Sequence, residues 1–159
     1  MKLVEKTIIA RFWMMFLFTV LVLVSLSSLS SAATPQVGES YGGGIVFYID
    51  STGQHGLIAA KSDMTGHSDG KQEGELNWYD AKTAANAFAE GYCDWFLPNR
   101  EQLNQLYLQR SVVGGIVDTY YWSSSESDVN NAWVHNFANG KQLAGSKANG
   151  SCVRAVRVF

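Results

Sequence analysis

The chain has 159 residues, of which 47% are apolar and 16% are charged, and its formal net charge is −2. This composition, with 15 glycines, 2 prolines and 2 cysteines, is typical of a globular protein and excludes a disordered chain, a collagen and a disulfide-dense miniprotein. The sequence also has no long repeat, heptad pattern or run of like charge, which excludes a solenoid, a coiled coil and a polyelectrolyte tail. We therefore expect one compact domain.

The first 33 residues have the three-part pattern of a secretory signal peptide. Basic residues precede the apolar stretch 12–24, and small residues follow up to Ala33, which predicts cleavage after Ala33. A retained membrane anchor is the alternative, because the apolar segment 12–29 comes close to the minimum length for a membrane span. No cysteine lies near Ala33 for lipid attachment. We expect a single exported domain, 34–159, that is secreted, periplasmic or at the cell surface, with no stable membrane insertion after cleavage.

The charge of the expected mature chain argues against a nucleic-acid partner. Residues 34–159 carry 9 basic and 13 acidic side chains, a net charge of −4, whereas nucleic-acid-binding domains carry a basic patch. Two interpretations of the C-terminal basic residues remain open: they form a basic surface, or the two arginines pair with carboxylates from earlier in the chain. These basic residues are Lys141, Lys147, Arg154 and Arg157.

Both cysteines, Cys93 and Cys152, belong to the portion expected to be exported. Two cysteines in an oxidising compartment usually pair, so a disulfide between them is predicted, joining the middle of the chain to its last strand. The alternative is a pair of buried free thiols. Neither cysteine lies in a His and Asn/Asp grouping that would indicate a nucleophile.

The sequence predicts an N-terminal hairpin over 41–60. The β-branched and aromatic run 45–49 is followed by a polar break and by the apolar run 57–60, which is the pattern of two strands and a turn. Glycines 42–44 precede a strand rather than a helix, so they favour close backbone contact over phosphate binding. The polar stretch 61–75, which contains three glycines, predicts a surface loop.

Two helices are predicted in the middle of the chain. Asn77 is a suitable N-cap for an alanine-rich helix over 78–89 that stops at Gly91. Its apolar stripe consists of Trp78, Ala81, Ala85 and Phe88. The second helix follows Pro98, where Asn99 and Gln102 form a capping-box pair, and ends before two glycines at 114 and 115.

The C-terminal part of the chain is rich in strand patterns. Strands are predicted at 120–123, 132–137 and 141–143, with an Asn139-Gly140 hairpin turn before the last of these. A final strand is expected at 152–159. Two strands, then two helices, then several antiparallel strands indicate an α+β domain rather than a parallel α/β sheet.

Several motifs follow one another along the chain, at 77–81, 91–103, 121–126, 132–133, 136–137, 139–140 and 153–157. Together they resemble the Lcl C-terminal domain family, which is named after a collagen-like bacterial adhesin. The family core is similar to this chain from Asn77 to Phe159, and Gly43 to Tyr48 resembles an N-terminal extension found in some members. One motif departs from the family pattern: members commonly read Trp-Arg-Leu-Pro-Thr where this chain has Trp95-Phe96-Leu97-Pro98-Asn99, which removes an arginine expected to form an internal salt bridge.

The resemblance implies a fold related to C-type lectin-like and sulfatase-modifying-factor domains, with two helices on an antiparallel sheet and long loops that carry the ligand contacts. For the adhesin it implies trimers and the binding of sulfated glycans through a basic surface. No collagen-like repeat precedes the domain here, and residues 34–159 are acidic. For this chain we expect at most a limited anionic-sugar surface at its C-terminal basic residues.

The four tryptophans of the expected mature domain are predicted to contribute to the core, because a domain of this size buries most of its large aromatic rings. They are Trp78, Trp95, Trp122 and Trp133. The alternative is that one or two stay exposed and stack on sugar rings, with the aromatic group beside the polar run 123–126 examined first. The residues predicted to bind a ligand are Tyr120, Tyr121, Trp122, Lys141, Lys147 and Arg154.

No motif for catalysis is present. The sequence contains no nucleophile elbow, zinc-protease helix, phosphate-binding glycine loop or dinucleotide fingerprint. The three histidines have no i, i+4 partner, so no metal site is expected from them. Glu126, Asp128 and Asn130 form an alternate-residue oxygen set of the kind calcium accepts. The set is a weak candidate because it lacks the turn glycine and distal glutamate of an EF-hand, and no other cofactor is expected.

These patterns predict an exported, non-enzymatic binding module that recognises a glycan or another macromolecule of the cell surface or extracellular space. Two alternatives remain. The first alternative is an enzyme accessory or oxidoreductive domain like the formylglycine-generating factors, which use cysteines. The second is a structural subunit of a cell-envelope assembly. The sequence leaves a homo-oligomer open, and light scattering would separate an envelope assembly from a monomeric binder.

Overall fold

The computed structural model describes residues 34–159, and the predicted signal peptide lies outside the described residues. Within this range the chain is α+β, as predicted, with two antiparallel sheets and three helices. No helix in the range has the length and apolarity to cross a membrane. The elements in chain order are β1 Ser40–Tyr41, β2 Gly44–Ile49, β3 Gly56–Ala59, α1 Trp78–Ala87, α2 Arg100–Leu108, α3 Arg110–Val113, β4 Tyr120–Glu126, β5 Asn131–Asn136, β6 Gln142–Ser146 and β7 Val156–Val158.

The first sheet has the order β1-β2-β3-β7 and contains the predicted N-terminal hairpin. Strands β2 and β3 approach so closely at Gly44 that a Cβ there would collide with the carbonyl of Ala59, so this glycine serves close backbone contact as predicted. The last strand is shorter than expected. It pairs with β3, not with its neighbours in the chain, while Cys152 forms only an isolated bridge with Tyr121.

The second sheet has the order β4-β5-β6. The predicted Asn139-Gly140 turn joins β5 to β6, and Gly140 has a φ of 76°, in the left-handed region that favours glycine. Residue pairing runs from His135 opposite Gln142 at one end to Asn131 opposite Ser146 at the other. The two ends of this sheet carry different parts of the predicted ligand-binding set.

The helices begin where their caps predict. Asn77 accepts hydrogen bonds from the backbone N–H groups of Tyr79 and Asp80, and α1 ends at Ala87, two residues earlier than predicted. Asn99 and Gln102 form the predicted capping box at the start of α2. The short helix α3 was not predicted as a separate element.

Two hydrophobic clusters hold the sheets and helices together. The first contains Trp78, Trp95 and Trp122, all almost fully buried, and the second is built around Phe47, Leu103, Leu106, Tyr121 and Phe137. The core role predicted for these three tryptophans is therefore confirmed. Trp133 is half-buried, with the Arg100 guanidinium 3.6 Å above its ring.

The 61–75 segment has no helix or strand, as predicted, yet it is more than a surface loop. Met64 is buried in the first cluster, and its backbone N–H donates to the carbonyl of Val153. Asp63 reaches the side chains of Arg154 and Tyr121. The loop thus contributes to the attachment of the C-terminal segment.

The disulfide prediction is wrong, because Cys93 and Cys152 are both free. Cys93 is exposed in the segment after α1. Cys152 instead packs half-buried against the second cluster, and its backbone bonds to β4. The two thiols thus lie in different environments. The alternative of two buried free thiols is not met either, because Cys93 is exposed and Cys152 is only half-buried.

Candidate functional site

Three of the residues predicted to bind a ligand are buried. Tyr121, Trp122 and Arg154 are each at most 1% exposed. The Trp122 indole N–H donates to the Leu76 carbonyl at 2.8 Å, and the Tyr121 hydroxyl donates to Asp63 at 2.7 Å. These rings have no free face for a sugar, so the interpretation that places them at a surface site has to be corrected.

Arg154 is also committed to the interior. Its guanidinium bonds to the Asp63 carboxylate at 2.6 Å and to the carbonyls of Ala60 and Gly115. Arg157 forms a two-point pair with Asp94 at 2.8 and 2.9 Å. The ion-pair interpretation of the two C-terminal arginines is therefore confirmed, and the alternative of a basic surface built on them is wrong.

The Arg157 pair also affects the nearby surface. The guanidinium lies 3.7 Å over the ring of Tyr92 and lowers the pKa of the Asp94 carboxyl below its usual value. These residues line a shallow depression that also contains Cys93. Because its arginine and one face of its tyrosine are already in use, this depression offers a ligand few groups.

The remaining predicted residues lie at opposite ends of the second sheet. Tyr120 and Lys141 are exposed and both adjoin Asn136, one by strand pairing and one by a backbone hydrogen bond. Lys147 follows the other end of β6. Six residues of extended strand span about 20 Å, so Lys141 and Lys147 cannot contact one small ligand together.

The Lys147 end of the sheet forms a depression against the start of α1, which we call the Tyr79 depression. Tyr79 stands 61% exposed on the first turn of the helix. The depression brings together the helix start, the β4–β5 loop and the chain after β6. Its lining residues are Asn77, Tyr79, Asn130, Ser146, Lys147 and Ala148.

The Tyr79 ring is held against a rigid support. Its edge-to-face partner is Trp78, with ring centroids 5.3 Å apart. The Trp78 indole N–H donates to the carbonyl of Ser123 at 2.9 Å, and the Trp78 ring is almost fully buried. An exposed aromatic ring on a fixed support loses little entropy when a ligand stacks on it.

The polar groups around Tyr79 differ in their availability. The Asn77 side chain already caps α1, and its amide nitrogen donates to Asp80 at 2.8 Å. The Asn130 amide and the Ser146 hydroxyl make no side-chain hydrogen bond within residues 34–159. These two groups are available to donate to or accept from a bound molecule.

The weak calcium candidate lies beside this depression. Glu126 binds the ammonium of Lys147, and Asp128 accepts hydrogen bonds from Asn130 and Asn131. Those bonds lower the pKa of the Asp128 carboxyl, the Asn131 side chain contributing most. A calcium ion on Glu126 would have to displace the ammonium. In residues 34–159 no three His, Cys, Asp or Glu side chains form a group that suits a metal.

Sequence reasoning missed Tyr79, although a signal for it was present. The apolar stripe of α1 runs through Trp78, Ala81 and Ala85, which the structure buries. Successive helical residues are rotated by about 100°, so a tyrosine directly after Trp78 lies off the stripe. An aromatic residue predicted to be exposed on a capped helix start would have indicated this site.

The comparisons with known proteins agree with the motif-based resemblance. No curated protein matches the chain. A family model described as the Lcl C-terminal domain matches residues 53–157. The match starts ahead of Asn77, where we placed the family core, and it includes every residue of the Tyr79 depression. It covers about two thirds of the sequence, and the chain belongs to the Lcl C-terminal domain family.

Proposed function

We propose that this protein is an exported, non-enzymatic binding module of C-type lectin-like fold that recognises a glycan at the Tyr79 depression. The exposed, supported ring of Tyr79 is the observation that carries the proposal. The ring lies among loops at the end of an antiparallel sheet, where lectin-like domains carry ligand contacts. The apolar face of a sugar ring matches a flat aromatic face, and its hydroxyls need polar partners nearby.

The Tyr79 depression supplies such partners in the form of neutral groups. The Asn130 amide can both donate and accept, and so can the Ser146 hydroxyl. Each such hydrogen bond contributes about 0.5–1.5 kcal/mol net. A few of them around one stacked ring give a weak site, which suits a module that binds a repeated surface polymer.

The charges around the depression favour an uncharged glycan over a sulfated one. Lys147 is the one cation among the lining residues, and its ammonium is already bonded to Glu126. Asp80 next to Tyr79 accepts from Asn77 and Ser68. An anionic sugar would find no unpaired positive charge among the residues that line this depression.

A glycan array with neutral and sulfated sugars tests the proposal with the purified protein at low and high salt. We expect binding to neutral sugars that changes little with salt, because stacking is not screened as exposed ion pairs are. Tyr79→Ala should abolish this binding. Tyr120→Ala is the matched control, an exposed tyrosine at the other end of the sheet. A blank array, or binding that survives Tyr79→Ala and weakens with salt, would contradict the proposal.

The oxidoreductive alternative has less support. It requires reactive thiols close together, but Cys93 and Cys152 are free and lie in different environments. Burial raises the pKa of the Cys152 thiol to about 11. A thiol with that pKa stays protonated near neutral pH and is a poor nucleophile.

A structural role in an envelope assembly is the second candidate, and one observation favours it. Val129 is 79% exposed at the tip of the β4–β5 loop. An apolar tip suits contact with another protein surface. The assembly role predicts an oligomer that Val129→Asp dissociates, whereas a monomer in light scattering at all tested concentrations would argue against it.

A further inference from the structure

Lys147 is a buried lysine whose ammonium lies in a cage of oxygen atoms. The residue is 5% exposed. Its Nζ donates to the Glu126 carboxylate, to the Val129 carbonyl at 2.9 Å and to the Asp128 carbonyl at 3.2 Å. An ammonium has three N–H donors, so all three are used by the last residue of β4 and the turn that follows it, which together we call loop 126–130.

The loop 126–130 is folded around this ammonium. The carbonyl oxygens of Asp128 and Val129 converge on one point. They would repel each other if no positive charge were there. The carboxylate of Asp128 accepts from the backbone N–H groups of Asn130 and Asn131 at 2.8 and 2.9 Å. The Lys147 backbone closes the arrangement by donating to the Asn130 carbonyl at 2.9 Å.

One carboxylate and two carbonyls are the oxygen ligands that a calcium ion takes from a protein loop. In this protein the position where these oxygens converge is occupied by the ammonium of Lys147, a cation that belongs to the chain itself. On its other side the ammonium lies 4.7 Å from the centroid of the Trp78 ring, whose face attracts a positive charge. The same tryptophan packs edge-to-face against Tyr79, so Lys147 contacts both the loop and the ring that supports Tyr79.

We propose that Lys147 is a positioning residue that takes the place of a structural metal ion, so that loop 126–130 presents Asn130 to the Tyr79 depression without a divalent cation. The role of Lys147 in the loop does not depend on the proposed function. Its consequence, that the site works without metal, rests on the proposed function.

Hydrogen exchange of the loop amides tests the proposal on the full chain. In Lys147→Met, which keeps the length but removes the charge, the N–H groups of Asn130 and Asn131 should exchange at least about tenfold faster as the loop opens locally. Lys141→Met is the matched control, since Lys141 makes no ion pair within residues 34–159. Unchanged exchange in a folded Lys147→Met protein would overturn the proposal.

Chemical rescue separates a cation's role from simple packing. Lys147→Ala leaves space for a small cation, and ethylammonium should restore slow exchange of the two amides. Tetramethylammonium carries the same charge without an N–H donor and should not. Rescue by neither ion, or equal rescue by both, would overturn the proposal, because neither result requires a donating cation in the cage.

A chelator provides the last arm. In the unaltered protein, EDTA should leave the exchange of the Asn130 and Asn131 amides unchanged, and faster exchange with EDTA would overturn the proposal. None of these measurements contains a glycan. A blank glycan array therefore leaves the loop result intact, and a positive array with unchanged exchange in Lys147→Met overturns only the inference about Lys147.

Discussion

At the scale of single residues, the clearest feature is that buried charged side chains form ion pairs and are not accessible to a ligand. The Arg154 guanidinium is fully buried and bonds to Asp63 and to three backbone carbonyls. Asp63 accepts in addition from the Tyr121 hydroxyl, and burial of that hydroxyl, more than this bond, raises the Tyr121 pKa. Asp63 thus compensates a buried charge and satisfies a buried hydroxyl at the same time.

Asp63→Asn should destabilise the protein by about 3–5 kcal/mol, because removing one partner of a buried pair leaves an uncompensated charge. The free energy of unfolding in urea, followed by tryptophan fluorescence, measures the loss. Asp69→Asn, an exposed residue of the same loop, should cost at most a few tenths of a kcal/mol. Equal stability of both variants would show that the pair contributes nothing.

His135 is a buried histidine among the rings of Tyr107 and Phe137, and its Nε2 has no hydrogen-bond partner. Burial lowers its pKa below the ordinary value of 6.5. The unfolded chain therefore binds more protons than the folded protein below about pH 6.5. As the pH decreases in this range, the free energy of unfolding decreases by up to about 1.4 kcal/mol per pH unit.

The consequence is a specific pH profile of stability. Between pH 7.5 and about 5.5, where most carboxyls stay ionised, the unaltered protein should lose stability as the pH falls. His135→Leu should flatten this part of the profile. His55→Gln, which changes an exposed histidine, should leave the slope as it is. A slope that persists in His135→Leu would assign the effect to another group.

At the scale of elements, the caps decide where helices begin. Asn99→Ala should lower the free energy of unfolding by about 1 kcal/mol, because α2 loses the side chain that accepts from its Gln102 N–H. Asn104→Ala is the control within the same helix. It removes a poor helix former from the interior of α2 and should raise stability by a few tenths of a kcal/mol. A loss of equal size in both variants would contradict the capping argument.

Local patterns predicted most of these elements because each one depends on nearby residues. The Asn99 and Gln102 pair, the Asn77 cap and the Asn139-Gly140 turn act over a few residues and appear in the structure as expected. Pairing between distant strands has no such local pattern. The position of β7 beside β3 depends on which chain segments pack together, so the division into two sheets was not predictable in this way.

The candidate site shows the same limit. Lys147 and Asn130 were identified from the sequence by their chemical type, and both line the Tyr79 depression. Trp122 was chosen for its aromatic ring, but the ring lies in the core. Residue type indicates what a side chain can bind, whereas its accessible face depends on the helix or strand beneath it. Tyr79 lies off the buried stripe of α1, and the sequence pattern already contained that signal, whereas the loop residues that surround its ring became known only from the structure.

At the scale of the whole molecule, noncovalent contacts do what the predicted disulfide was expected to do. The chain's last segment is held between β3 and Phe96 by backbone pairing. Two ion pairs join it to earlier parts of the chain, Arg154 with Asp63 and Arg157 with Asp94. The C-terminal segment is therefore tied down even though both cysteines are free.

This arrangement predicts that a reducing agent leaves the stability unchanged. Dithiothreitol should not alter the melting temperature, whereas loss of a disulfide closing a loop of this length would cost about 4 kcal/mol. Alkylation of the native protein should modify exposed Cys93 first. Cys152 should react far more slowly, because it is half-buried and its pKa is raised to about 11. Since thiolates are the reacting species, Cys152 should label readily only after unfolding. A melting temperature that decreases when reductant is added would contradict the conclusion that noncovalent contacts hold the C-terminal segment in place.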